Sequence, residues 1–560
     1  MTSYDQRPWL KFYDKGVDPD FTSPDATCVN LLEKSFIDYA DHAAVQFMGA
    51  TLTFHQLDEY SQKFAAFLTE IGCVPGDVVG LNMPNFPQYL IALAGTLRVG
   101  CIASGVSPLA APKEMIYQLN DLDAKVLVSL DAIYEGIVLK IKDEVPGLSH
   151  VVVASAADIL SPSGPGNPAP LEGKTVLTFR EILDNYPAKL PERIVKPDDV
   201  CFIQYTGGTT GLPKGVELTH NGFATNLLQF GQWNGFEPEN ETILSGFPFF
   251  HVAGLLFGLI GMCLGGRQVL IPDPRNTSHI CDEIARYKPT IMANVPTFYQ
   301  MLLQNPMFVE LDFSRIKCCI SGAAPFPVDS IKALEQIVGK GRVTEGLGLT
   351  ETGVIIIANP QENPTKVGTI GIPFQSTYVK LVDLNTGTKE VPLGEEGEII
   401  VRGPQLFKGY HNKPEETAHA LRNFQGEKWL YTGDVAKMDK DGYFTIVDRT
   451  KDMINVSGYK VFSREVEDTL HEHQAIESCA IIGIPDPERP GSEHVKVIIQ
   501  LSNSHKEKDR AEIEQQIIEY CRENMAAYKR PKNIEFVDQL PLTSVGKVDK
   551  KILRSSMRKS

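Results

Sequence analysis

The run "YTGGTTGLPKG", Tyr205 to Gly215, places four glycines, three threonines, one proline and one lysine in eleven residues. The preceding "DDVCFIQ" predicts a short buried strand. The following "VELTHNGFATNLLQF" predicts a strand end and then a helix. Held between such elements, the loop can offer backbone N–H groups, the hydroxyls of Thr206, Thr209 and Thr210, and the Lys214 ammonium to an anion. It is not a P-loop. Pro213 and Gly215 flank Lys214, so the metal-binding hydroxyl that should follow the lysine is missing. Gly173-Lys174-Thr175 fails as well, because Pro168 stands where the first glycine belongs. A flexible surface loop is the plain alternative, but threonine and proline interleaved with glycine after a strand favour a shaped one.

Three further stretches carry groups able to do chemistry beside a phosphate. "EGLGLTETG" puts Thr350 and Glu351 after a glycine-broken strand end, where a carboxylate beside hydroxyls suits Mg²⁺; a solvated turn explains it equally. "WLYTGDVAKMD" sets Asp434 in a tight Thr-Gly-Asp turn, from which a fixed carboxylate can take both hydroxyls of a ribose. An ordinary Asx-turn is the alternative. "LPLTSVGKVDKK" carries Lys547 beside Gly546 on a loop near the C-terminus, where a lysine is ordinarily solvated.

The elements that must position these groups fall into two patterns. Up to about residue 450, apolar strands alternate with amphipathic helices, as in "AAVQF" followed by "TFHQLDEYSQKFAAFLTEIG" and "DVVGLNMP" followed by "NFPQYLIALAGTLRVG". That alternation implies α/β layers with largely parallel sheets. Between Gly368 and Val447 short strands with Gly and Asn turns take over, predicting a small β subdomain or barrel. After Lys451 a compact α+β unit follows, with helices at "SREVEDTLHEH" and "KDRAEIEQQIIEYCREN" and strands at "ESCAIIGIP", "EHVKVIIQL" and "KNIEFVD". The expected domains are therefore 1–450 and 451–560, with the boundary near "DRTKDMINVSGYK".

Bulk properties narrow the function. A chain of 560 residues is too long for one core. Its net charge of −16 disfavours non-specific binding to nucleic acid or anionic lipid. Ten scattered cysteines without a C-x-x-C suit reduced thiols in the cytoplasm. The N-terminus lacks the apolar region of a secretory signal. The run Val252–Gly266 is short for a membrane span and reads as a buried helix. His471 and His473 lie two apart on an expected helix, so they face different sides and make a poor metal pair.

Taken together, the motifs resemble the adenylate-forming enzymes, which include acyl-CoA synthetases, aryl-CoA ligases, luciferases and carrier-protein adenylation domains. The resemblance runs through "YTGGTTGLPKG", "FFHVAG", "SGAAP", "GLGLTETG", "GEIIVRGPQLFKGY", "YTGD", "VDRTKDMINVSGYKVFSREVED" and "SVGK", in order and over nearly the whole chain. The N-terminal "RPWLKFYDKGV" and the run "VGTIGIPFQSTYVKLVD" are most similar to bacterial medium- and long-chain fatty-acid CoA ligases. The resemblance implies a mobile C-terminal domain, ATP, Mg²⁺ and CoA as cofactors, and a small carboxylate as substrate. It implies that Thr206, Thr209, Thr210 and Lys214 receive the β- and γ-phosphates, and that Glu351, beside Thr350, helps hold Mg²⁺. Asp434 and Arg449 would take the ribose; Gly322, Ala323, Ala324 and Leu347 would border the adenine. Lys547 would reach the α-phosphate and the carboxylate, Lys451 would be the hinge, and Gly458 would line the pantetheine tunnel. His251 and Leu255 would border the acyl pocket. Two positions depart from the family: Leu347 replaces a usual aromatic residue that stacks on adenine, and Leu255 stands where some long-chain members carry a gating tryptophan. The expected reaction is carboxylate, ATP and CoA to acyl-CoA, AMP and diphosphate, with a medium- or long-chain fatty acid favoured. Alternatives are a ligase for an aromatic or cyclic carboxylate, an adenylation enzyme serving a carrier protein, and a non-catalytic nucleotide binder. No nucleic acid or transmembrane partner is expected, while peripheral membrane contact and a homodimer stay open.

Overall fold

The computed structural model describes the chain except residues 1–3, 23–24, 162–163, 165, 193, 207–212, 325, 364, 458, 488, 490–491, 544–546 and 558–560. Two large sheets form its framework. A nine-stranded sheet has six parallel neighbours at its centre: Val343–Gly348, Cys318–Ser321, Ile291–Asn294, Thr242–Ser245, Arg267–Leu270 and Ala43–Phe47. An eight-stranded sheet is parallel across six strands and ends in two antiparallel ones, Lys214–Thr219 and Gly409–Tyr410. Strands such as Val78–Asn82 and Thr242–Ser245 are buried along their whole length because helices cover both faces. The largely parallel α/β reading is thus observed.

Helix ends follow local chemistry. Thr53 and Thr178 each close a capping box, with Gln56 and Glu181 reaching back to the cap backbone. The helix Val252–Leu264 is buried on every side but its last residue, and Gly265, in the left-handed region at φ 79°, ends it. Among the described residues no helix is long and apolar enough to cross a membrane.

The expected β subdomain is an open antiparallel sheet of five strands rather than a closed barrel: Tyr378–Val382, Gly397–Arg402, Glu427–Met438 and Leu421–Phe424 in order, with Phe444–Arg449 pairing on Glu427–Met438. Beyond it, the strands Ile476–Pro485, Glu493–Leu501 and Asn533–Val537 form a small sheet with the helices Ser463–His471 and Arg510–Asn524. This smaller unit has its own apolar cluster around Ile481, Val497 and Ile517. The helix at "SREVEDTLHEH" stops at His471, so His473 lies beyond it and the two histidines do not share a helix. A final helix, Lys550–Met557, completes the unit and buries Leu553.

Several side chains join the small unit to the large one. The Ser463 backbone N–H donates to Asp448, whose other oxygen accepts from the Ser463 hydroxyl at 3.1 Å. Lys460 donates to Asn385 at 3.1 Å.

Candidate active site

The glycine-rich loop leaves strand Val200–Thr206 and returns as Lys214–Thr219, and the two pair antiparallel. Thr206 and Lys214 are register partners, so they face each other across the neck of the loop. Helix Pro112–Asp121 holds that neck: Asp121 accepts from the Tyr205 hydroxyl at 2.5 Å, and Tyr117 donates to the Pro213 carbonyl at 3.1 Å. Thr209 and Thr210 lie outside the described residues, as does Gly458.

Lys214 is engaged. It pairs with Glu416 and sits 5.1 Å from the Tyr410 ring centroid. The Tyr410 hydroxyl in turn donates to Glu351 Oε1 at 2.7 Å. Tyr410 therefore connects the cation of the loop to the candidate magnesium ligand, while Glu416 neutralises that cation. Tyr410 lies within a quoted motif, but nothing in its local sequence announces this contact; Glu416 carries no signal at all. Glu351 stands on a single 3-10 turn, Thr350–Thr352, directly after strand Val343–Gly348. The Thr350 side is buried, and Glu351 retains a second carboxylate oxygen with no hydrogen bond among the described residues. One hard, anionic oxygen beside the phosphate loop fits Mg²⁺, which keeps most of its waters and needs few protein ligands.

The residues expected to border adenine occupy the carboxyl ends of parallel strands, where open α/β sheets bind ligands. Gly322, Ala323 and Ala324 follow Cys318–Ser321, and Leu347 lies near the end of the adjacent Val343–Gly348. Ala323 has φ 69°, a left-handed conformation uncommon for a residue with a Cβ. A Cβ added at Gly322 would meet only the Gly346 carbonyl, at 3.9 Å, so space lies open beside that backbone. Leu347 is half-buried and packs against the main core. Leu347→Tyr is expected to lower KM for ATP by the roughly 0.5–1.5 kcal/mol of an aromatic pair, which is about two- to tenfold. Steady-state kinetics decide it, and an unchanged or higher KM refutes the stacking argument.

Asp434 is not in a tight turn. It lies within the twelve-residue strand Glu427–Met438, where Gly433 at φ 73° and a register shift after Val435 kink the strand. The Thr-Gly-Asp signature marks this irregularity, which aims a carboxylate instead of reversing the chain. Asp434 is 3% exposed. Its Oδ1 accepts from Arg449 Nε at 2.8 Å, and its backbone N–H donates to Thr432 Oγ1 at 3.1 Å. Among the described residues, its buried Oδ2 has no hydrogen-bond partner. A buried carboxyl oxygen with no donor is costly, and a ligand hydroxyl would satisfy it.

Lys547 closes the site from the small unit. Its backbone N–H donates to Thr543 Oγ1 at 3.2 Å and its carbonyl accepts from the Thr543 N–H at 2.7 Å, while Leu542 bridges Val548. Burial, then the nearby Arg449 guanidinium, pushes the Lys547 ammonium down to about 8, with Asp434 opposing. Lys451, on an exposed turn after Phe444–Arg449, adds a further positive charge. On the other side, burial and the Lys547 charge push the His251 imidazole down to about 3, so it is neutral at physiological pH. His251 caps helix Val252–Leu264, its Nδ1 accepting from the Ala253 N–H at 3.3 Å. Leu255, one turn on, is 1% exposed and belongs to the main core. Lys547, Asp434, Arg449 and His251 thus converge electrostatically, although they come from three separate regions of the chain.

Glu345 is a buried acid that sequence reasoning does not single out. Burial pushes its carboxyl up to about 7 against the opposing charge of Arg464 from the small unit. The only sequence cue is an acidic residue inside an otherwise apolar strand.

With this geometry in place, the comparisons are specific. The AMP-binding enzyme family matches residues 32–411, and the AMP-binding enzyme C-terminal domain matches 465–547. The chain belongs to the AMP-binding enzyme family, as an adenylate-forming acyl-CoA synthetase. It is 37% identical to a long-chain-fatty-acid–CoA ligase of Bacillus subtilis, over 97% of each chain. It is 35% identical to one of Escherichia coli O6:H1, over 99% of each. Among solved structures, it resembles the anthranilate CoA ligase AuaEII in complex with anthranoyl-AMP, with 29% identity, 99% of each chain covered and a TM-score of 0.82. ATP-bound MatB from Rhodopseudomonas palustris matches at 27% identity, covering 95% of this chain and 99% of its own, also with a TM-score of 0.82.

Proposed function

We propose that the enzyme activates a medium- or long-chain fatty acid as its adenylate and transfers the acyl group to CoA. The observation that carries this reading is the unpartnered Oδ2 of Asp434, buried beside Arg449 and within the field of Lys547. That arrangement takes a ribose on one side and leaves a cation for the α-phosphate on the other. Thr206, Thr209, Thr210 and Lys214 bind the departing diphosphate. The fatty carboxylate approaches Lys547, whose charge offsets the repulsion between two anions and stabilises charge building at the α-phosphate. Neutral His251 adds no competing cation there. Magnesium, held in part by Glu351, supplies further positive charge at the phosphates when bound. AMP leaves when the CoA thiolate attacks the acyl carbonyl.

Both half-reactions cannot use the same walls. In this reading the unit beyond Lys451 pivots, withdrawing Lys547 and bringing the strands around Gly458 to the thiol path. Residues 1–450 and 451–560 are the two bodies of that motion. The present arrangement, with Lys547 beside Asp434 and Arg449, is the adenylating one.

The relatives named as long-chain ligases support a fatty substrate, as does the wholly apolar helix that His251 caps. The test is a carboxylate panel with ATP, Mg²⁺ and CoA. We expect kcat/KM for octanoate and longer acids to exceed that for acetate, with about 0.8 kcal/mol gained per buried CH₂ until the pocket ends. If benzoate or a cyclic acid outperforms every straight-chain acid, the substrate assignment fails while the adenylation chemistry stands.

A further inference from the structure

Three side chains that the proposed reaction does not use meet inside the large unit. Cys28 is the first residue of helix Cys28–Asp38, Cys201 is on the strand leading into the glycine-rich loop, and His220 is the first residue of helix His220–Trp233. The two sulfurs and one imidazole nitrogen all lie within 4.8 Å of one another, and among the described residues this is the only such group of three. Cys28 and Cys201 are fully buried, and His220 is 1% exposed. Among the described residues, the His220 Nδ1 has no hydrogen-bond partner. The sulfurs make only weak contacts, Cys28 with the His220 carbonyl at 3.7 Å and Cys201 with the Leu218 carbonyl at 3.3 Å.

We propose that Cys28, Cys201 and His220 form a buried zinc(II) site that fastens the first long helix to the hairpin carrying the glycine-rich loop. The ligand set is soft, and thiolates with imidazole suit zinc or copper(I). Charge decides between them. When M²⁺ binds, each thiol releases its proton to solvent, and two thiolates, a neutral imidazole and a divalent ion sum to zero. Copper(I) would leave one net negative charge in a dry core, which is expensive. The Leu218 or His220 carbonyl, or one water, completes the fourth position. Zinc bonds of about 2.0–2.3 Å require the ligand atoms to close by up to about 1 Å from the outer limit of their present spacing. Cys201 lies five residues from Thr206, about 17 Å along an extended strand. The site therefore anchors the base of the phosphate loop without touching nucleotide.

The test uses the full chain, expressed with zinc in the medium and purified without chelator. Elemental analysis is expected to give about one zinc per chain, and cobalt(II) replacement to give a thiolate-to-cobalt charge-transfer band. Cys28→Ser, Cys201→Ser and His220→Asn should each lose most of the metal, while Cys263→Ser, a buried neighbour outside the group, should keep it. The wild-type stoichiometry and cobalt spectrum are informative even where a variant does not fold. A zinc-free wild-type protein with no cobalt band overturns the proposal and leaves a hydrogen-bonded thiol cluster. A Cys28–Cys201 disulfide found by mass spectrometry overturns it as well.

Discussion

Lys547→Ala is expected to slow acyl-AMP formation by about 10²–10³, the usual cost of removing one well-placed charge donor from a transition state. Lost positioning of the carboxylate adds to that. Given synthetic acyl-AMP and CoA, the same variant should make thioester at near the wild-type rate, because the proposed pivot has by then taken Lys547 out of the site. The pH profile gives a second readout. The free-enzyme ammonium titrates near 8, and only the cation is useful. Adenylation kcat/KM should hold below that value and fall as pH rises through it, since kcat/KM reports the free enzyme. The alanine variant should lack this alkaline limb. Equal slowing of both half-reactions in a folded variant means that Lys547 acts as a general binding residue, and the division of labour between two conformations fails.

The second large effect is expected at Asp434. Charge-assisted hydrogen bonds contribute about 1.5–3 kcal/mol each, so losing the ribose contacts in Asp434→Ala should reduce kcat/KM for ATP on the order of 10²-fold or more. Asp434→Asn retains the shape and one acceptor, and should recover part of that loss. The substitution also leaves Arg449 without its carboxylate, so circular dichroism and a thermal melt must accompany the kinetics. If Asp434→Ala remains folded and its KM for ATP is unchanged, the vacant Oδ2 is not a ribose acceptor.

What could be read from the sequence depended on whether the information was local. The strand, loop and strand around Tyr205–Gly215 are legible because an apolar run, a glycine cluster and a second apolar run lie in series. The same holds for the buried helix after His251, whose apolar residues run without interruption. Asp434 lies in a strand and not in the tight turn that its sequence suggests. Thr-Gly-Asp has turn composition, but the flanking residues pair on both sides, and the sheet absorbs the glycine as an irregularity. The helix Lys550–Met557 is hidden by its charge, since the five basic residues within "KKILRSSMRK" mask the apolar Leu553 that clusters with Ile482 and Ile498. The partnership of Lys214 with Glu416, 202 residues away, has no local trace whatever. The Cys28, Cys201 and His220 cluster is equally silent, because its members follow no ligand spacing.

The Lys214–Glu416 pair also bears on how the cycle ends. An ammonium that waits for diphosphate in isolation would bind it tightly and surrender it slowly. Lys214 instead has an internal rival for its charge, a half-exposed carboxylate that can hold it whenever the loop is empty. If Lys214 receives the diphosphate as proposed, each arriving nucleotide must displace that rival, and each departing diphosphate is replaced by it. In that reading the chain carries its own counter-anion, which trades some affinity for turnover.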